Sequence, residues 1–149
     1  MSFLPEIDRK RTQEAVEAIL ERYRMYKFLS FEDREANTTS SISDIPRSFT
    51  GTTSDQTASI AIYNVDTQAK QKAFCERVER VVKRMPRMEG FLIHERYMTN
   101  EHDYITDQHV YNHVFQPPVS EGKYSKIRWK AFYKLASNFD VLVEKTNLP

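Results

Sequence analysis

The stretch Thr106–Leu135, TDQHVYNHVFQPPVSEGKYSKIRWKAFYKL, decides how this chain is read. It has the form of a short helix, a turn, and a second helix loaded with positive charge. Asp107 is placed to cap the first helix by accepting from the free amides of its opening turn. Val110, Tyr111 and Val114 follow at helical spacing as an apolar stripe. Gln116-Pro117-Pro118 ends that helix, because proline lacks an amide hydrogen and drives its predecessor out of the helical region. Ser120 then restarts a helix as N-cap. Tyr124, Ile127, Ala131 and Leu135 recur at intervals of three and four and form its buried face. Lys123, Ser125, Lys126, Trp129, Lys130 and Lys134 point elsewhere, with Arg128 nearby. This predicts a helix-turn-helix over about 106–136.

A lysine-rich amphipathic helix is ordinarily just a solvated face. Here the charge is one-sided: Lys123, Lys126, Arg128, Lys130 and Lys134 are opposed only by Glu121. Ser125 and Trp129 add groups that donate to phosphates or stack. Double-stranded DNA is thus a candidate partner beside the plain solvated face. Glu121, Lys123, Ser125, Lys126 and Trp129 are candidates for base edges. Arg128, Lys130 and Lys134 are candidates for phosphates, and Ser120 opens the helix.

Working outward, the 149 residues suffice for one domain, or for two small ones on a tether. A net charge of +1 creates no global attraction to nucleic acid, so attraction must come from local segregation. One cysteine, Cys75, suits a reducing compartment and forms no intrachain disulfide. No apolar run approaches a membrane span, and MSFLPEIDRKR lacks the apolar core of a signal peptide, so a cytoplasmic location is expected. Three glycines argue against phosphate-cradling loops.

Toward the N-terminus, Val16, Ile19, Leu20, Tyr23 and Tyr26 predict an amphipathic helix that starts near Asp8 or Thr12 and runs to Leu29. It either packs on the C-terminal bundle or dimerises. Residues 30–54, rich in Ser and Thr, read as a flexible linker. The expected organisation is thus 1–29 as N-terminal helix, 30–54 as linker and 55–149 as helical domain. From Asp55 a long helix runs to Arg84, with Asn64-Val65-Asp66-Thr67 a candidate interruption. Ala58, Ala61, Ile62, Val65, Ala69, Lys72, Ala73, Val78, Val81, Val82 and Met85 track its inner face. A shorter helix over about 88–98 follows Pro86. The bundle is predicted to bury Val78, Val81, Phe91, Leu92, Val110, Val114, Ile127, Ala131 and Leu135, and the segment from Asn138 to continue the last helix or fray.

Few enzymatic constellations survive inspection. His109 and His113 have the four-residue spacing of a zinc pair, but the glutamate that zinc peptidases place beside the first histidine is absent. Chance spacing accounts for the pair, with contact to phosphate from the outer face of the helix as the other reading. The carboxylates are scattered among lysines and arginines, so no acid/base dyad stands out. No catalytic activity, metal or cofactor is expected.

Ile45-Pro46-Arg47-Ser48, Ala61-Ile62-Tyr63-Asn64-Val65-Asp66, Val110-Tyr111-Asn112 and Lys130-Ala131-Phe132-Tyr133-Lys134-Leu135-Ala136, with Leu4-Pro5-Glu6-Ile7-Asp8 ahead of them, together resemble the ArpU family. These are small phage and prophage transcriptional regulators of Gram-positive hosts, linked to late genes and autolysin control. The resemblance implies an all-α chain whose C-terminal helix-turn-helix is similar to region four of bacterial sigma factors. In that arrangement Ser120-Glu121 opens the recognition helix and the segment around Lys123–Lys130 faces the major groove. The turn Val114–Ser120 is longer than the family's by about two residues, and Gly122 weakens the second helix. The expected function is activation of late packaging or lysis genes, with host RNA polymerase and a second copy of the chain as further candidate partners. An adaptor acting on host RNA polymerase and a ring-forming DNA-packaging recognition subunit remain alternatives.

Overall fold

Asp8 opens the first helix by accepting the Arg11 amide on Oδ1 at 3.1 Å, one of the two expected starts. The computed structural model describes residues 6–40 and 55–145, with backbone alone over 31–40 and 55–64. The chain is all-α. Its helices are α1 (Arg9–Ser40), α2 (Asp55–Arg84), α3 (Arg87–Ile93), α4 (Asp107–His109) and α5 (Glu121–Asn138). Two π-helical turns extend this set, His94–Met98 after α3 and Val110–Val114 after α4, and a 3₁₀ turn spans His102–Tyr104. Among the described residues the sole β-feature is an isolated bridge between Ile7 and Glu144.

Residues 30–40, expected as linker, belong to α1, and the remainder of the expected linker lies outside the described residues. Two compact units are formed, residues 1–24 with 77–149, and residues 25–76. Their boundaries fall inside helices and not at the expected 29 and 54.

In the larger unit the first turns of α1 pack on the C-terminal helices, so the packing alternative holds for this part. Val16, Ile19, Leu20 and Tyr23 are buried there, and the Tyr23 hydroxyl donates to Glu79 at 2.8 Å. Val78, Val81, Val82 and Met85 carry the end of α2 into the same core. Pro86 then breaks the chain and α3 turns back. The backbone of Gly90 comes so close to α2 that a Cβ there would lie 2.9 Å from the Val82 carbonyl oxygen. α3 lies chiefly on α5, where Tyr124, Ile127, Ala131 and Leu135 are buried as expected. Phe132 and Ala136 are buried beside them, and Tyr97 meets Phe132 with ring centroids 5.3 Å apart.

Two residues expected in the core lie nearer the surface. Phe91 is 37% exposed and meets Phe115 edge-on at 5.0 Å, while Val114 is half-buried. The π turn shifts the register of the preceding stripe, which puts Phe115 inside in place of Val114.

α5 ends at Asn138 instead of running on. Asp140 takes a positive φ of 58°, and the chain turns back in extended form to pair with the N-terminal segment. Asp8 N donates to the Val143 carbonyl at 2.7 Å and Lys145 N to that of Glu6 at 2.8 Å. The fully buried Thr12 accepts the Val143 amide on its hydroxyl at 3.1 Å.

In the smaller unit α2 is unbroken through Asn64–Thr67. Cys75 is buried, and Tyr26 meets Phe74 edge-on at 5.5 Å. Val65, Ala69 and Ala73, expected on the buried face, are exposed.

Candidate nucleic-acid interface

α5 is fastened at both ends. Ser120 caps its start, its hydroxyl accepting the Lys123 amide at 3.2 Å. At the other end Arg77 donates to the Asn138 carbonyl and lies over the Phe139 ring at 4.2 Å, a cation at the negative end of the helix. At 3.6 residues per turn, Lys123, Lys126, Lys130 and Lys134 fall within an arc of roughly 80°, while Arg128 falls about 140° from Lys123.

The lysine row and the buried face are thus opposite sides of one helix. Lys123, Lys126 and Lys130 are exposed, and among the described residues none has a carboxylate within 4.0 Å. Glu121 and Ser125 are exposed in the first turns of the same helix, but each lies about 160° around it from Lys123.

Arg128 serves another purpose than the expected phosphate contact. It points into the domain, where its Nη1 donates to Asp107 Oδ2 at 3.2 Å. Asp107 also receives Arg96 Nε at 2.9 Å and the Tyr124 hydroxyl at 2.7 Å, both on Oδ1. One carboxylate therefore ties the turn after α3, the start of α4 and the first turns of α5 together. Asp107 does not cap α4; Thr106 does, its hydroxyl accepting the His109 amide at 3.1 Å. Competition explains the exchange, since two guanidinium groups and a phenol outbid an amide for the carboxylate.

This joint borders a polar cleft of about 410 Å³ that also includes Arg24, Tyr97 and His102. Arg24 donates to the Tyr97 carbonyl at 2.7 Å, and burial lowers its pKa. Burial, and then the nearby Asp107 charge, push the Tyr97 phenol up to about 12. The Tyr124 phenol is also raised, first by burial and then by its hydrogen bond to Asp107. The joint was missed in the sequence, yet a signal was there: Arg128 lies four residues after Tyr124 and adjoins Ile127, on the inward flank of the helix.

Two further residues have partners other than the expected ones. Lys134 pairs with Glu89, which is buried on α3, so it closes the bundle instead of projecting as a free phosphate contact. Trp129 is half-buried beneath Arg9, whose guanidinium carbon sits 4.8 Å from the ring centroid. Arg9 covers one face of its ring, so that face is not open to a base.

His109 and His113 are exposed with ring centroids 5.3 Å apart. Among the described residues no third metal-ligating side chain joins them. No helix among these residues is long and apolar enough to cross a membrane.

The fold and surface together define an all-α protein that displays a capped, cationic helix. Over 142 residues, 95% of this chain and 96% of the relative, it is 27% identical to the "uncharacterized phage-related protein Lin1259/Lin1739" of Listeria innocua serovar 6a. No family model matches the chain, and no solved structure matches it.

Proposed function

We propose that this protein is a phage-encoded, non-enzymatic transcription regulator of the ArpU kind that binds duplex DNA through α5 and acts on late genes in the bacterial cytoplasm. The observation that carries the reading is the row Lys123, Lys126 and Lys130: outward, exposed, and without a carboxylate partner among the described residues. Similarity to a phage-related protein along nearly the whole of both chains agrees with the phage setting. In this reading Lys123 and Lys126 reach base edges from the first half of α5 and Lys130 holds phosphate, while Glu121 and Ser125 lie away from that row. His109 and His113 stand where α4 would meet the backbone. Arg128 and Lys134 act from within, by holding α5 against α4 and α3.

A fluorescence-anisotropy titration against duplex DNA from upstream of the phage's late genes, at several salt concentrations, tests this. Tight binding that weakens linearly on a log–log salt plot is expected, with the native duplex preferred over a scrambled one. Absence of duplex binding would sink the reading and leave the adaptor on host RNA polymerase, or the packaging subunit, in its place.

A further inference from the structure

The lysine row of α5 is not the only cationic element on its side of the molecule. Trp129 and Tyr133, ring centroids 6.2 Å apart, lie beside the row, displaced from Lys126 by roughly 60° and 20° around the helix. Beyond them stands the first turn of α1, where Arg9 is stacked on Trp129. Glu6, Ile7, Arg9, Trp129, Tyr133 and Lys145 line a shallow depression of about 360 Å³ there.

This turn is not a loose tail. Thr12 and Val16 anchor it in the core, and the backbone pairing of Glu6 and Asp8 with the 143–145 segment holds its start. Arg9 and Lys10 are exposed, and among the described residues neither has a carboxylate within 4.0 Å. Among the described residues Arg11 pairs with the half-buried Asp8 at 3.7 Å and Lys145 with the exposed Glu6 at 3.4 Å.

We infer that the first turn of α1, led by Arg9, is a second phosphate-binding element for the duplex that α5 engages. The inference rests on the α5 reading and widens it from one helix to two cationic lines separated by an aromatic strip. A guanidinium laid on an indole is held in place while its N–H edge stays available, and that edge matches two phosphate oxygens. Trp129 is then a positioning residue acting through Arg9.

The test is the same anisotropy titration on full-length protein carrying Arg9→Gln, Arg9→Lys, Trp129→Leu, the Arg9→Gln/Trp129→Leu pair, or Lys126→Ala. Arg9→Gln should weaken binding about fivefold near physiological salt and lower the salt slope by about one. Arg9→Lys should keep the slope and recover part of the affinity, which a purely structural role of Arg9 would not produce. The double variant should bind no more weakly than Arg9→Gln alone, because Trp129 acts through the arginine. If Arg9→Gln binds as wild type with an unchanged slope while Lys126→Ala weakens, the inference is overturned and the α5 reading stands. If neither change alters affinity or slope, both are overturned.

Discussion

Gly90 and Gly122 sit in helices of the same bundle, and substitution should act on them in opposite directions. A methyl at Gly122 meets nothing within 4 Å. Gly122→Ala should therefore raise stability by about 0.5–1 kcal/mol, the helix-propensity difference between the two residues. A methyl at Gly90 meets the backbone oxygen of Val82 at 2.9 Å, so α3 must move off α2 to admit it. Gly90→Ala should cost about 1–3 kcal/mol through overpacking. Thermal melts should place the two variants on either side of the wild type; equal shifts would contradict the close approach at Gly90. Asp107 offers a second test at this scale. Asp107→Asn leaves Arg96 and Arg128, both mostly buried, facing a neutral amide. A loss of about 2–3 kcal/mol is expected, near the lower end for broken buried pairs because Asp107 is partly exposed. Tyr124→Phe, which removes one donor to the same carboxylate, should cost about 1.5 kcal/mol or more. Urea unfolding distinguishes the two, and a wild-type midpoint for Asp107→Asn would contradict the joint.

Within the elements, α5 was the most readable part of the chain because a single periodicity assigns both of its sides. Ser120 as cap and Tyr124, Ile127, Ala131 and Leu135 as the buried face follow from spacing, and the structure places them so. The same wheel places Arg128 inward, but composition drew it into the basic surface: a positive charge looks alike from the sequence whether it meets water or Asp107. What spacing does not reveal is a π turn. One extra residue in a turn rotates everything after it, so Phe115 goes inside where Val114 was expected. The turn of the chain at Asp140 was equally unreadable, since a non-glycine residue at positive φ carries no strong sequence mark. The interface between α5 and the turn after α3 also has a pH consequence. Tyr97 holds its proton to about 12 in the folded chain against roughly 10 when unfolded. The folded state thus binds the proton more tightly, so this contribution is complete below pH about 10 and disappears as pH rises toward 12. Tyr124, shifted the same way, extends the loss further into alkali. Equilibrium unfolding should show stability falling on the order of 2 kcal/mol between those limits, and Tyr97→Phe should flatten that part of the curve.

At the scale of the molecule, Glu6 and Asp8 pair with the 143–145 segment, Arg9 lies over Trp129 of α5, and α3 packs on α5, while Lys123, Lys126 and Lys130 stay exposed. The cations of α5 fall into two groups by what they touch: Lys123, Lys126 and Lys130 face solvent, while Arg128 and Lys134 pair with Asp107 and Glu89. The slope of log affinity against log salt for duplex DNA, measured for each of the five changed singly to alanine, tests that division most directly. Each outward lysine should lower the slope by about one, whereas Arg128→Ala and Lys134→Ala should lower the melting temperature and leave the slope of the folded protein unchanged. Outward-lysine variants with the slope of the wild type would contradict the account.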